Sequence, residues 1–319
     1  MYLGIEIGGT KLQLGLGRGD GVIAALWRGT VNPADGGEGI RKQIVAAVPE
    51  LMAKASLDRG HLTGVGIGFG GPTDDATRTV IKSHQIAGWD GFPLADWISD
   101  LVGVPAVLCN DADVAGLAEA LFGAGKGLSP VFYITVGSGI GGGLIIDGQI
   151  YRGVGRGAAE IGHLQVYASG VERDHYMMPL EHVASGWAIG RAGRASLEAW
   201  FVDTPLRLLA GGDPQKVTGH MVGVAAARGD ERALEIIANA RNALAQAIRQ
   251  VIVLLCPKRV VIGGGVSLIG EELLFEPLRR LVAEEVFPPF GDLTDIVPAA
   301  LGEEVVVHGA LALAGQKFT

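Results

Sequence analysis

The sequence predicts an α/β fold built around a unit that occurs twice. Gly4 to Leu16 reads as a strand, a turn at Gly8-Gly9-Thr10, and a second strand, and Phe132 to Ile146 repeats that pattern around Gly137-Ser138-Gly139. Elsewhere, apolar runs of strand length alternate with stretches of helical periodicity, the order expected of layered α/β structure.

The elements follow in chain order. Helical spacing runs from Gly39 to Ala55, and Gly64 to Pro72 is a strand that ends in a turn at Gly70-Gly71, where backbone can come close to a ligand. Gly103 to Asn110 is the next strand and Ala112 to Phe122 a helix. Asp147-Gly148 closes a further hairpin after the second glycine unit. A long helix is expected over about 234–255, and Arg259 to Ser267 is a buried strand entering a third glycine turn at Gly263-Gly264-Gly265. Val305 to His308 reads as a strand and Gly309 to Gly315 as a helix, while 203–216 reads as a polar, proline-containing loop. The expected division is a small N-terminal domain of 1–115 plus 300–319 and a larger domain of 116–299, around a cleft.

Composition narrows the function classes. The 319 residues, 48% of them hydrophobic, suffice for two cores. A net charge of −8, with no basic run among the 26 Lys and Arg residues, argues against nucleic acid as a partner. The longest apolar run, Val251 to Cys256, stops at Pro257 and reads as a helix end in a core, far short of a membrane span. Met1 leads straight into the first strand, leaving no room for a signal peptide or an N-terminal DNA-binding module. Cys109 and Cys256 both stand in apolar context and read as reduced core residues of a cytoplasmic protein.

The glycine turns suggest chemistry. Backbone N–H groups free of Cβ can approach an anion, and Thr10, Thr135 and Ser138 add hydroxyl donors, so each turn could hold part of a polyphosphate; the alternative is a pair of ordinary hairpins. Neither turn leads at once into a helix, which argues against both the Walker-A loop and the dinucleotide fingerprint. Two such hairpins point instead to a duplicated, actin-like (ribonuclease H-like) ATPase fold. The third turn could admit an adenine ring or simply join strand to helix.

Polar groups complete the pattern. Asp111 stands at the carboxyl end of a strand, where open α/β sheets place ligands, and its carboxylate can take a proton from an alcohol. Glu160 and His163, three apart, can converge on one hydroxyl-rich ligand. The plainer alternatives are a helix N-cap for Asp111 and an exposed turn for Glu160 and His163.

With these residues in view, the chain resembles the ROK family of bacterial sugar kinases and sugar-responsive repressors over nearly its whole length. The matching runs are IEIGGTK at 5–11, NDAD at 110–113, TVGSGIGGG at 135–143, AAEIGH at 158–163, LEHVASG at 180–186 and VVIGGGVS at 260–267. The resemblance implies that Asp111 is the general base toward the primary hydroxyl of a hexose, and that Asn110, Glu160, His163 and Glu181, with the Gly71 turn, bind the sugar. It also implies that Gly8, Gly9, Thr10 and Lys11, the stretch Thr135 to Gly143, and Gly263 to Gly265 surround ATP. The expected activity is phosphorylation of the 6-hydroxyl of glucose or a close relative, with N-acetylhexosamine, fructose and allose kinases as alternatives and a non-catalytic sugar-binding protein as the rival of another class. Magnesium is the expected metal, polyphosphate an alternative donor, and a homodimer the expected assembly. A repressor role is disfavoured because the family's repressors carry an N-terminal helix-turn-helix that this chain lacks.

Three departures from the family pattern stand out. Glu6 replaces the usual aspartate near magnesium and phosphates, keeping the charge on a longer arm and suggesting a role through the metal's water shell. The cysteine-rich zinc run is replaced by Glu172-Arg173-Asp174-His175-Tyr176-Met177-Met178-Pro179-Leu180-Glu181, which excludes a thiolate zinc site. No zinc is therefore expected; Asp174, His175 and His163 could bind another metal, but a solvated polar loop is the favoured reading, with the far ring nitrogen of His163 held by a carboxylate or carbonyl from about 172–175. Gln85 stands four before Trp89 where many relatives have asparagine, a place that could tune sugar choice.

Overall fold

The computed structural model describes residues 1–83, 85–169, 175–199 and 202–319. They form two compact units, one of 1–133, 143–158 and 300–319, the other of 134–142 and 159–299. Compared with the expected division, residues 116–133 and 143–158 join the first unit.

Unit 1 holds β1 (Tyr2–Ile7), β2 (Lys11–Gly17), β3 (Ile23–Thr30), α1 (Gly36–Lys54), β4 (Gly64–Phe69), a short hairpin of β5 (Thr73–Asp74) and β6 (Thr79–Val80), α2 (Leu94–Val102), β7 (Ala106–Asn110) and α3 (Asp111–Phe122). Its sheet has the order β3-β2-β1-β4-β7, with β2 antiparallel to β1, and β1, β4 and β7 parallel. Strands β1 and β4 are buried almost throughout, as expected of central strands covered on both faces.

One face is shaped by a row of glycines. Gly15, Gly4 and Gly66 stand opposite one another on β2, β1 and β4, leaving a strip without side chains. The last helix of the chain, α10 (Val305–Phe318), lies along this strip so closely that a methyl on Gly66 would overlap the Ala310 carbonyl. This corrects the expectation of a strand at 305–308. Val305, Val306 and Val307 form the first turn of the helix, because burying Val306 and Val307 outweighs the roughly 0.5 kcal/mol that each β-branched residue costs in a helix. Glu119 of α3, fully buried, locks the approach to α10: Oε1 accepts the Ala300 and Leu301 amides, and Oε2 that of Ala124.

The chain then forms β8 (Val131–Val136), β9 (Ile140–Ile146) and β10 (Gln149–Ile150), the last two joined through Asp147 and Gly148, both with positive φ as a type I′ turn requires. Next come β11 (Gln165–Ser169), β12 (His175–Pro179), α4 (Glu181–Ala184), α5 (Gly186–Ala199), α6 (Pro205–Leu209), α7 (Gly219–Ala227), α8 (Glu231–Leu255), β13 (Arg259–Gly263), α9 (Glu276–Glu285) and β14 (Asp295–Pro298). The second large sheet has the order β10-β9-β8-β13-β14.

Two expectations for unit 2 change. The 203–216 stretch contains α6 and a 3-10 turn at Pro214–Lys216, each capped by a side chain, Thr204 and Asp213. The run 251–256 does end a helix, at a Cys256 cap with φ 43°, but not wholly in a core. Leu254 is 76% exposed and Cys256 partly so, whereas Cys109 is buried as expected. Among the described residues no helix is long and apolar enough to cross a membrane.

Candidate active site

Unit 1 gathers one cluster of the predicted residues. Asn110 ends β7 and caps α3, its Oδ1 accepting the Ala112 amide at 2.9 Å while its Nδ2 donates to the Gly71 carbonyl at 3.0 Å. The N-cap role considered for Asp111 therefore falls to Asn110. Asp111 is the first helical residue, where the helix N-terminus favours a carboxylate, and its Oδ1 accepts the same amide at 2.8 Å. A Cβ on Gly70 would lie 3.4 Å from Asp111 Oδ2 and 3.7 Å from the Gly8 Cα, so the Gly70 turn, the first glycine turn and Asp111 are neighbours.

Beside them, Glu6 Oε1 meets Lys11 Nζ at 2.9 Å, and Lys11 Nζ also donates to the Glu303 carbonyl at 2.9 Å. Gln13, opposite Glu6 on β2, donates to that carbonyl at 3.2 Å. Burial pushes the Glu6 pKa from 4.5 up to about 7 against the pull of Lys11, with Asp111 and Glu303 adding to the rise. Glu6 Oε2 and Gln13 Oε1 are buried acceptors that find no hydrogen-bond partner among the described residues. An orphaned carboxylate oxygen beside a phosphate-type turn fits a hydrated cation, though a carboxylate already paired with lysine does not make an inner-sphere site. Gln85 packs against the same turn, its Oε1 filling the space a methyl on Gly9 would need.

Unit 2 gathers the second cluster. The turn after β8 closes with the Gly137 amide donating to the Gly139 carbonyl at 2.9 Å. Glu181, at the start of α4, reaches this turn: Oε2 accepts the Ile140 amide at 2.9 Å and lies over the Gly139 Cα. Gly162 packs against the Ile140 carbonyl, which seats the 3-10 turn Ile161–His163 on the same hairpin and leaves Glu160 and His163 exposed at its two ends. Gly186 and Trp187, opening α5, donate to the Gly137 and Ser138 carbonyls at 2.8 and 3.3 Å. Gly264, with φ 85°, lies against the backbone of Val136, bringing the third turn onto the second. That turn runs into a short 3-10 stretch, Gly265–Ile269.

Some expectations fall elsewhere. The expected support for His163 at 172–175 lies mainly outside the described residues, as does Asp174. Among the described residues no group of three or more His, Cys, Asp and Glu is placed to hold a metal ion. The sequence reading missed Gln13, Glu303 and Trp187. Gln13 did leave a signal, a lone polar residue in the apolar strand KLQLGLG; Glu303, acting through its carbonyl, left none.

Known proteins share this architecture. The family model described as ROK family matches residues 2–317. The glucokinase of Thermotoga maritima is 32% identical over 99% of this chain and 98% of its own. Among solved structures, a ROK family glucokinase from Streptomyces griseus in complex with glucose and AMPPNP is 32% identical, covers 99% of both chains and superposes with a TM-score of 0.80. A ROK hexokinase from Thermus thermophilus is 26% identical with a TM-score of 0.77, covering 99% of this chain and 98% of its own. With the glycine turns, Asn110-Asp111 and Glu160-x-x-His163 placed on that shared fold, the chain belongs to the ROK family.

Proposed function

We propose that the protein is an ATP-dependent kinase that transfers the γ-phosphoryl group to the primary 6-hydroxyl of glucose. The observation that carries this reading is Asp111: an aspartate just past the carboxyl end of the parallel edge strand β7, next to the Gly70 and Gly8 turns, in a family whose relatives named above are glucokinases and a hexokinase. Its Oδ1 is anchored on the Ala112 amide, which fixes the carboxylate's direction.

Asp111 takes the proton of the sugar hydroxyl as its oxygen attacks the γ-phosphorus in line, and the bond to the ADP oxygen breaks. Asn110 holds the Gly71 turn in place, and Asn110, Gly71, Glu160, His163 and Glu181 serve as sugar ligands. The Gly8 and Gly137 amides close their own turns, on the Lys11 and Gly139 carbonyls, which leaves the amides of Gly9 and Thr10 and of Ser138 and Gly139, with the Lys11 ammonium and the Thr135 and Ser138 hydroxyls, to offset phosphate charge, and Gly263 to Gly265 contact the nucleotide. Glu6 would hold a hydrated magnesium ion through Oε2, and such an ion supplies further charge compensation to the phosphates.

A coupled ADP-release assay across glucose, mannose, fructose, allose, N-acetylglucosamine and N-acetylmannosamine, with ATP and magnesium, tests the proposal. Glucose should give the highest kcat/KM. Preference for an amino sugar would move the reading to an N-acetylhexosamine kinase, and no turnover with any sugar would leave a sugar-binding protein. Gel filtration of the purified protein should give the mass of a homodimer.

A further inference from the structure

Trp187 is half exposed, with 50% of its surface open, at the first turn of α5. A half-exposed indole offers a flat, amphipathic face to a ligand. Its surroundings are built and specific. The Arg191 guanidinium lies 4.5 Å from the ring centroid, the His182 ring meets it edge-on at 6.3 Å, and Arg191 donates to the His182 carbonyl at 3.1 Å. Two side chains, Arg191 and His182, therefore hold the indole in one orientation while leaving much of it open.

The position is also defined. The Trp187 amide donates to the Ser138 carbonyl, and that of Gly186 to Gly137, so the indole starts from the second glycine turn itself. A Cβ on Gly186 would lie 3.8 Å from a methyl of Val266, which places the third glycine turn alongside. This broad aromatic surface adjoins two turns with the character of phosphate and nucleotide contacts. We infer that Trp187, oriented by Arg191, is the stacking platform for the purine base of the phosphoryl donor, and so selects a nucleotide over inorganic polyphosphate.

This inference rests on the kinase reading above. A flat base on an indole gains stacking whatever its hydrogen-bonding edge, whereas polyphosphate has no surface to stack and gains nothing from Trp187.

Calorimetric titration of the full chain with magnesium ADP and, separately, with magnesium tripolyphosphate tests it in wild type, Trp187→Ala and Trp187→Phe. Because the side chain is half exposed, both variants should fold, with thermal melting curves close to wild type. Trp187→Ala should weaken ADP binding about tenfold or more and raise the KM for ATP with little change in kcat or in the KM for glucose. Trp187→Phe should stay within a few-fold of wild type, and binding of tripolyphosphate should not change. Equal ADP affinity in Trp187→Ala and wild type would overturn the inference alone. So would loss of the oligomer at unchanged ADP affinity, which would make Trp187 an interface residue. If wild type binds no adenine nucleotide, the kinase reading fails and the platform with it.

Discussion

Glu181 accepts the Ile140 amide at 2.9 Å and lays its carboxylate over Gly139, so a proposed sugar ligand and a proposed phosphate turn share one hydrogen bond. Neither can shift without the other. The turn is glycine at 139 because the carboxylate occupies the space a side chain would take.

Gly139→Ala should therefore displace Glu181 rather than merely stiffen the turn. Hydrogen bonds to charged groups contribute about 1.5–3 kcal/mol, so sugar affinity should fall about tenfold or more. Calorimetric titration with glucose, alongside a melting curve, measures this; unchanged affinity would remove Glu181 from the sugar site.

Asp111→Asn should bind glucose nearly as well as wild type, because an amide oxygen can still accept the Ala112 N–H. It removes the base, and turnover should fall by a factor of roughly a hundred to ten thousand. Turnover within a few-fold of wild type would exclude the base role.

Glu6 gives a dependence on pH. Its folded pKa is raised from 4.5 to about 7, chiefly by burial. The stability it contributes is fully present below 4.5 and is lost as pH rises through about 7, a change of about 3 kcal/mol in order of magnitude. Glu6→Gln should flatten the difference between urea midpoints at pH 5 and pH 8, and an undiminished difference would assign it to other groups. Glu6→Asp should leave glucose affinity alone and change the magnesium dependence of turnover.

Arg152 makes a buried ion pair with Asp113, which is 1% exposed, and donates to Asp75 at 2.7 Å. Arg152→Met leaves the Asp113 carboxylate buried beside a neutral chain and should cost about 3–5 kcal/mol in urea unfolding. Adding Asp113→Asn should recover part of that loss. Additive losses would show that the pair is not coupled.

Ala159 holds φ at 62° directly before Glu160, a conformation that costs an L-residue about 1–2 kcal/mol. Ala159→Gly relieves this while adding freedom to the unfolded chain, so a small net rise in the denaturant midpoint at constant slope is expected. A lower midpoint would mean that the alanine methyl packs favourably enough to offset the conformation.

What could be read from the sequence follows from how local each signal is. The hairpins around Gly8-Gly9 and Gly137 to Gly139, and the Asn110-Asp111 junction, were legible because turn chemistry and strand ends are written in adjacent residues. Residues 305–308 were misread because three consecutive valines favour a strand locally, while the glycine row that makes them a helix lies some 240 to 300 positions earlier, on β1, β2 and β4. The Glu6–Lys11–Glu303 contact was invisible for the same reason, since it joins the first strand to a carbonyl almost 300 residues away. Gln85 could be noticed as a departure, but only the fold placed it against Gly9.

The glycine row also bears on how the chain is made. β1, β2 and β4 present a bare backbone strip whose cover, α10, is synthesised only after all of unit 2. At about 5–20 residues per second, translation leaves this strip without its helix for ten seconds or more, during which the growing N-terminal segment exposes a flat, sticky sheet face. Slow codons in the stretch encoding unit 2 would lengthen this interval. Ribosome-arrested chains stalled before residue 300 should be cut readily by protease within β1 to β4, and chains extended past α10 should resist.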